Sequence, residues 1–275
     1  MFNLIKKRKY QLNSKIIKLF FFYFKYNSLL YLMNCIAVLT RGYDRIEDYS
    51  LLIRRNKCIE INLIDKNTDN LIFHEGNIRE EHQQYIQTQT PNLNIIFKEI
   101  LFDKEKEKII IEEAHRFSYG YRHMCSFWFV DFWNYVKNYD YLLRIDEDCF
   151  INFNIDEVFH KLKTKLFISG RQSFDHNFVT IGLNQFSLNF FKSSIPKRPY
   201  GPYTNIIGLS LTQLRQNEQL FQYIQSVDES QMIYKRRWGD LPLWGEVIFY
   251  IFGDESLYIS SKLKYYHESH KLNIN

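Results

Sequence analysis

Residues Tyr139–Phe150 read Tyr-Asp-Tyr-Leu-Leu-Arg-Ile-Asp-Glu-Asp-Cys-Phe, an apolar strand-like run that ends in three consecutive acids. Residues two apart in a strand point to the same side, so Asp146 and Asp148 direct two carboxylates toward one spot. Such a run predicts a buried parallel strand whose carboxyl edge binds a ligand, as in open α/β folds. Paired acids there suit Mg²⁺ or Mn²⁺ bound to a diphosphate. A solvated acidic turn is the alternative, because this motif alone has little specificity.

Short apolar runs alternate with helix-start signals from Asn34 onward. Strands are predicted at Cys35–Leu39, Cys58–Ile64, Leu71–Phe73, Asn94–Phe97 and Leu166–Ile168. Helices are predicted over about 44–55, 77–87 and 127–137, and again from Asn154 and from Asp240. This alternation predicts an α/β fold with a Rossmann-like, mostly parallel sheet flanked by helices.

The composition fits one large α/β domain over residues 34–275, preceded by a basic and aromatic segment, residues 1–33. The net charge of +5 is small and dispersed, so we expect no nucleic-acid partner. The cysteines at positions 35, 58, 125 and 149 form no Cys-x-x-Cys pair, which excludes zinc ribbons and thioredoxin-type motifs. Free thiols and disulfides both remain open.

The N-terminal segment carries Lys6–Lys9, a basic cluster, ahead of the apolar run Leu19–Phe24. That run has only six residues between Lys18 and Lys25, whereas a helix needs about 20 apolar residues to span a bilayer. An interfacial helix would give peripheral membrane contact through residues 1–33. The alternative is an amphipathic helix packed on the domain.

Four segments carry a resemblance to a known family: Gly-Tyr-Arg-His-Met-Cys-Ser-Phe at 120–127, Tyr-Leu-Leu-Arg-Ile-Asp-Glu-Asp at 141–148, Arg-Trp-Gly-Asp-Leu-Pro at 237–242 and Tyr-Tyr-His at 265–267. In this order and spacing they resemble the fungal Kre2/Mnt1-type α-1,2-mannosyltransferases, glycosyltransferase family 15. The resemblance covers the chain from about Asn34 to the C-terminus, and the Arg-Trp-Gly-Asp and Tyr-Tyr-His segments are its most specific parts.

The resemblance implies a GT-A fold and retaining transfer of mannose from GDP-mannose to an oligosaccharide or glycoprotein acceptor, with Mn²⁺ as cofactor. It implies Asp146 and His267 as metal ligands, with Asp148 beside them either supporting a metal ligand or contacting the nucleotide. Mixed carboxylate and imidazole ligation favours Mn²⁺ over Mg²⁺. It also implies a membrane-associated protein of a Golgi-like secretory compartment; without an N-terminal anchor the alternative is the cytoplasm.

Five further residues receive roles from the resemblance. Arg41 follows the first strand and would bind the nucleotide, while Tyr121 and Arg122 would line the donor pocket. Asp240 would act beside the acidic triplet by binding mannose hydroxyls, and Trp238 would stack on a sugar. The alternatives are a surface arginine for Arg41, core packing for Tyr121 and Trp238, and a helix cap for Asp240.

One position departs from the family pattern. The family often has Asn-Phe-Glu in the region that matches Tyr203–Ile207, and Ile207 stands where that glutamate would be. A double displacement through this residue is therefore in doubt. Two other hypotheses follow: a GT-A transferase with another nucleotide-sugar donor, or a glycan-binding protein that has lost catalysis.

Overall fold

The computed structural model of the protein describes residues 32–112, 117–197 and 200–274. Its strands are β1 (Asn34–Leu39), β2 (Asp69–His74), β3 (Asn94–Glu99), β4 (Tyr141–Ile145), β5 (Cys149–Ile151), β6 (Phe167–Ser169), β7 (Gln172–Phe174), β8 (Tyr200–Pro202), β9 (Ile206–Ser210), β10 (Leu257–Ile259), β11 (Tyr265–His267) and β12 (Leu272–Ile274). Its α-helices are α1 (Ser50–Asn62), α2 (Glu80–Gln89), α3 (Tyr119–Ser126), α4 (Ile155–Leu162), α5 (Leu183–Phe191), α6 (Leu211–Leu214), α7 (Glu218–Ser230), α8 (Met232–Arg236) and α9 (Asp240–Val247).

The predicted interfacial helix within residues 1–33 lies almost wholly outside the described residues. Among the helices that are described, none combines the length and apolar character that crossing a membrane requires.

The central sheet has seven strands in the order β10-β6-β9-β4-β1-β2-β3. The neighbours from β4 to β3 all pair in parallel, whereas β9 runs antiparallel to both β4 and β6. The predicted α/β architecture with a mostly parallel sheet is confirmed. Because strand order reverses between β1 and β4, their carboxyl ends flank the crevice where such sheets bind ligands.

Both faces of the sheet are covered, which explains the continuous apolar runs in its strands. In β1, Cys35 and Ala37 face one core while Ile36 and Val38 face the other. The first core is rich in aromatic rings from α3, α7 and α9 and the turns between them. The second is mainly aliphatic and contains side chains of α1, α2 and α4.

Two predicted elements differ from the structure. Cys58–Ile64 is not a strand, because α1 continues to Asn62 and buries Leu52, Arg55 and Ile59 at helical spacing. The Arg55 guanidinium donates from Nε to the Ile145 carbonyl at 2.8 Å and so fixes α1 beneath the end of β4. The helix predicted over 127–137 is also different, because α3 ends at Ser126 and is followed there by a π-helical turn at Phe127–Asp131 and a 3₁₀ turn at Phe132–Asn134.

A second, three-stranded sheet brings the C-terminal segment to the acidic triplet. Its order is β12-β11-β5, and β11 runs antiparallel to β5. The register places His267 opposite Cys149, the residue after Asp148. Opposite residues in an antiparallel pair lie on the same face, so this pairing determines where the His267 ring lies.

The start of α9 is positioned by a close backbone contact with β8. A Cβ atom on Gly245 would lie 2.2 Å from the Tyr200 carbonyl oxygen, and one on Gly201 would lie 2.1 Å from that of Leu241. Only glycine permits this approach. The contact holds α9, and therefore Asp240 at its first position, against the two-stranded sheet of β7 and β8.

We predict that Gly245→Ala lowers the free energy of unfolding by about 1–3 kcal/mol, because backbone must move to admit the methyl group. Gly120→Ala in α3 is the matched control, since its Cβ would meet nothing nearer than 3.7 Å. The control should be neutral or stabilising by up to about 1 kcal/mol. Urea unfolding measures both changes, and equal stabilities of the two variants would contradict the close contact.

Candidate functional site

A cleft of about 540 Å³ opens at the carboxyl end of β4. A larger depression of about 750 Å³ runs along α4, away from the acidic triplet. The smaller cleft holds most of the predicted site residues and is therefore the candidate site. Its lining comprises Phe117, Tyr121, Met124, Arg144, Asp146, Asp148, Ser173, Phe174, Asp175, His176, Tyr203, Thr204, Asn205, Arg237, Asp240, Leu241, His267, Ser269 and His270.

Arg144 in β4 is buried between two carboxylates of the cleft. Its Nε and Nη2 bind Asp146 at 2.7 and 3.0 Å, and its Nη1 binds Asp240 at 2.5 Å. Burial alone would lower the pKa of Arg144, but the two carboxylates outweigh it and hold that pKa above its usual range. Burial also raises the pKa of Asp146. The guanidinium thus joins the end of β4 to the start of α9.

Asp148 faces His267 across the cleft. The His267 Nε2 atom lies 3.3 Å from Asp148 Oδ2, and the Ser269 backbone N–H donates to the same oxygen at 3.2 Å. Burial would raise the pKa of Asp148, but the hydrogen bonds from His267 and Ser269 outweigh burial and lower this pKa below its usual value. Asp148 is therefore an ionised carboxylate at neutral pH.

Glu147, between the two aspartates, points to the other side and ties β1 to the triplet. It accepts hydrogen bonds from Thr40 Oγ1 at 2.6 Å and from Tyr43 Oη at 3.2 Å. Burial is the main reason that its pKa is raised. Arg41 lies exposed just after β1, with its guanidinium 5.1 Å from the Tyr43 ring centroid and outside the cleft lining.

The orientation of the His267 ring is fixed on its opposite edge. Tyr203 Oη lies 3.1 Å and Asn205 Nδ2 lies 3.0 Å from His267 Nδ1. The Asn205 side chain is itself held, because its Oδ1 accepts from Tyr265 Oη at 2.9 Å. These contacts direct Nε2 toward Asp148, and Tyr203 Oη offers Nδ1 the hydrogen-bond acceptor that a ligand histidine commonly has at its second nitrogen.

The donor set fits a divalent cation. Ligand-type atoms of Asp148, Cys149 and His267 lie within 4.8 Å of one another. Cys149 is fully buried and lies outside the described cleft lining, so the carboxylate of Asp148 and the imidazole of His267 are the donors that reach the cleft. Asp146, the ligand implied by the resemblance, lines the same cleft, but both its oxygens accept from Arg144. Within the described lining, four aspartates face two arginines, which leaves negative charge for a cation to neutralise.

A second arginine forms the rim of the cleft. Arg237 binds Asp175 at 2.6 Å, donates to Tyr121 Oη at 2.9 Å and lies over the Phe117 ring at 4.3 Å. Its backbone is left-handed, with φ of 63°. A Cβ on Gly239 would lie 2.9 Å from the Asp175 carboxylate, so the glycine leaves room for this ion pair. The Arg-Trp-Gly-Asp segment therefore places the charged side chains of its first and last residues in the cleft, and its glycine leaves room beside them.

Two residues that the resemblance assigned to the donor site lie in the interior. Arg122 is fully buried and donates to the Tyr234 carbonyl at 2.8 Å, behind the cleft wall. Trp238 is 1% exposed, and its indole Nε1 donates to the Ile181 carbonyl at 3.0 Å. Both side chains therefore act in packing here, whereas Tyr121 lines the cleft.

Ile207 offers no carboxylate at the position where the family often has glutamate. It pairs with Arg144 across β4 and β9 and is buried in the aromatic core. Thr204 and Asn205, just before it, reach the cleft lining. The departure noted in the sequence therefore coincides with an apolar strand position.

Among the arginines and carboxylates of the cleft lining, three received no role from the sequence: Arg144, Asp175 and Arg237. For Arg144 a signal was present, because a charged residue inside an apolar strand two positions before Asp146 needs a buried partner on the same face. Asp175 lies in an irregular stretch without periodicity, and its pairing with Arg237 spans 62 residues. Local pattern contains no information on such a contact.

Comparison with solved structures finds mannosyltransferases of the same fold. Ktr4p from S. cerevisiae matches with a TM-score of 0.70 and 18% identity over 86% of this chain and 70% of that one. Core-mannan synthase A (CmsA/Ktr4) from Aspergillus fumigatus, in its Mn/GDP form, matches with a TM-score of 0.70 and 16% identity over 86% of this chain and 75% of that one. Mouse xyloside xylosyltransferase 1 matches with a TM-score of 0.52 and 13% identity over 83% of this chain and 85% of that one.

Identities this low establish the fold alone. The predicted GT-A fold and the structural resemblance to the Kre2/Ktr mannosyltransferases are confirmed. No protein-family profile matches the sequence, and a search of curated proteins found no match.

We predict that Arg144→Met destabilises the protein by about 3–5 kcal/mol, because it leaves two buried carboxylates without their cation. The triple variant R144M/D146N/D240N should recover much of that loss, since no uncompensated charge then remains. Urea unfolding compares the variants. A triple variant as unstable as Arg144→Met alone would show that the lost packing of the arginine side chain, rather than the unpaired carboxylates, causes the destabilisation.

We also predict a pH-dependent contribution from Asp148 in protein freed of metal by EDTA. A carboxylate whose folded pKa is lowered stabilises above its unfolded pKa of about 3.9, and that stabilisation disappears as pH falls toward the folded pKa. The stability difference between the wild type and Asp148→Asn should be largest near pH 7 and shrink below pH ~4. A difference that stays constant from pH 7 to 3 contradicts this assignment.

Proposed function

We propose that the protein is a Mn²⁺-dependent glycosyltransferase that moves mannose from GDP-mannose to a sugar hydroxyl with retained anomeric configuration. The α-1,2 linkage is part of this proposal and rests on the sequence resemblance. The observation that carries it is the β5–β11 register, which brings His267 to Asp148 at the crevice between β1 and β4. Solved Kre2/Ktr relatives of this fold include Mn- and GDP-bound forms.

Asp148 and His267 would hold the cation in this proposal, in place of the Asp146 and His267 pair implied by the sequence. The reason is that none of the described arginines pairs with Asp148, which faces His267, whereas Asp146 is bound on both oxygens by Arg144. A bound Mn²⁺ would supply positive charge to the diphosphate as it leaves. The uncompensated aspartates of the cleft would be neutralised at the same time.

Asp240 and Asp146 would bind hydroxyls of the transferred mannose, with Arg144 fixing both in place. The C1–O bond to the diphosphate breaks and its electrons leave with GDP. The acceptor oxygen bonds to C1 from the same face, and its proton passes to a phosphate oxygen. This sequence of events needs no carboxylate at Ile207.

The rim of the cleft would receive the acceptor. Phe174 is 56% exposed and Tyr121 is 38% exposed, and exposed rings of this kind suit the apolar face of a sugar. Asp175, held by Arg237, offers a fixed acceptor for sugar hydroxyl protons. We therefore place an oligosaccharide or a glycan of a glycoprotein here, and a secretory compartment is the setting that such acceptors favour.

A second candidate function is glycan binding without catalysis, which Ile207 favours because the position lacks a carboxylate. A transferase with another nucleotide-sugar donor stays within the same fold. Incubation with a panel of sugar nucleotides and Mn²⁺, scored for nucleotide release with and without mannose or mannobiose, separates these functions.

We predict that saturating GDP with Mn²⁺ raises the melting temperature by about 5–10 °C, because a ligand present at about 100-fold its Kd stabilises by about 2.7 kcal/mol. UDP with Mn²⁺ should raise it less. Asp148→Asn should lose most of the Mn²⁺-dependent shift, while Glu229→Gln on the exposed face of α7 should keep it. A larger shift with UDP than with GDP points to a different donor.

We predict that Asp175→Asn raises the acceptor KM about tenfold or more, because a hydrogen bond to a charged group contributes about 1.5–3 kcal/mol. The KM for the donor should change little. Initial rates at varied mannobiose and fixed GDP-mannose measure the acceptor KM. Initial rates at varied GDP-mannose and fixed mannobiose measure the donor KM. An effect confined to the donor KM places Asp175 in the donor site instead.

A further inference from the structure

The turn between β11 and β12 is fastened to Asp148. The Glu268 backbone N–H donates to the Asp148 carbonyl at 2.9 Å, and the Ser269 N–H donates to its side chain at 3.2 Å. Lys271 completes the reversal with a left-handed φ of 48° and a hydrogen bond to the Glu268 carbonyl at 3.1 Å. This geometry turns His270 back toward the cleft, whose lining it joins.

The His270 ring lies against His267. Its Nδ1 atom is 3.0 Å from Nδ1 and 3.3 Å from Nε2 of His267, and the two ring centroids are 4.3 Å apart. Ser269 Oγ lies 3.1 Å from His267 Nε2 and 3.4 Å from His270 Nδ1. Both imidazoles line the candidate cleft.

These separations fit ligands of one ion. His267 Nε2 has Asp148 Oδ2 and His270 Nδ1 as neighbours, each at 3.3 Å. Two ligand atoms bonded at about 2.1 Å and at right angles to one another lie about 3 Å apart. A cation beside His267 Nε2 would contact Asp148 directly, and a rotation of the His270 side chain, whose Nδ1 now lies 3.0 Å from His267 Nδ1, would bring the third atom to that cation.

Cys149 is the rival third donor, because its Sγ belongs to the same group of ligand-type atoms. Three observations disfavour it. Its side chain is fully buried, it is absent from the described cleft lining, and its sulfur accepts from Asn205 Nδ2 at 3.4 Å. His270, in contrast, is exposed and lines the cleft.

We propose that His270 is the third protein ligand of the divalent cation in this cleft, completing a set of two imidazoles and one carboxylate with His267 and Asp148. The proposal rests on the proposed function for the presence of the cation. Such a set favours transition metals such as Mn²⁺ over Mg²⁺, and its remaining coordination positions are left for the diphosphate.

The test measures metal binding by the full chain without substrate. Calorimetric titration with Mn²⁺ is carried out on the wild type, His270→Ala, His267→Ala and Cys149→Ser. His160→Ala, on the exposed side of α4, is the matched histidine control. We expect His270→Ala to weaken Mn²⁺ binding at least about tenfold, since loss of even a residue that only orients a ligand costs 10–100-fold. His160→Ala and Cys149→Ser should bind as the wild type does.

Co²⁺ gives an independent readout. His270→Ala and His270→Gln should both change the visible absorption of the Co²⁺-loaded protein, and added imidazole should restore the Co²⁺ spectrum of His270→Ala. A strong near-ultraviolet thiolate-to-Co²⁺ band that disappears in Cys149→Ser would overturn the proposal in favour of the cysteine. Far-ultraviolet circular dichroism checks that each variant folds.

The outcomes separate this proposal from the proposed function. Wild-type Mn²⁺ affinity in His270→Ala, together with its loss in His267→Ala, refutes the third ligand and leaves the transferase intact. Failure of the wild type to bind Mn²⁺ even with GDP present refutes both.

Discussion

The buried Arg144 guanidinium is the constraint on which the cleft depends. An arginine inside β4 is tolerated only with anionic partners, and Asp146 and Asp240 provide them from the strand end and from the start of α9. The two acids are in turn tolerated together because one cation lies between them. Strand, helix and cleft therefore form one unit, and the glycine contact between α9 and β8 holds the helix at the required distance.

The sequence predicted those parts of the fold whose cause is local. Apolar runs located the buried strands, and Asn154 was identified as the cap of α4, where its side chain accepts from two backbone N–H groups. The run at Cys58–Ile64 failed as a strand because α1 continues through it, and apolar residues at helical and strand spacing overlap in so short a stretch. The β5–β11 pairing joins segments more than a hundred residues apart, which no local pattern encodes.

The candidate site divides in the same way. Asp146, Asp148, Asp240, Tyr121 and His267 share one cleft, as the resemblance implied. Roles assigned from a residue's position within a motif were less reliable, because neighbouring residues on a helix point in different directions. Tyr121 reaches the cleft, whereas Arg122 points into the interior. The assignment of charges to partners, with arginine on Asp146 and imidazole on Asp148, depends on tertiary geometry alone.

Strand β9 runs opposite to its neighbours, so the long excursion from β6 to β9 leaves and re-enters the sheet on adjacent strands, with Ser169 paired to Ile207. The pairing of β6 with β9 therefore holds the two ends of this segment side by side. A different length or composition between these two strands would reshape one wall of the cleft without altering the strand order of the sheet. Under the proposed function, such variation would change which acceptor fits, as long as Tyr203 and Asn205, which contact His267, are kept.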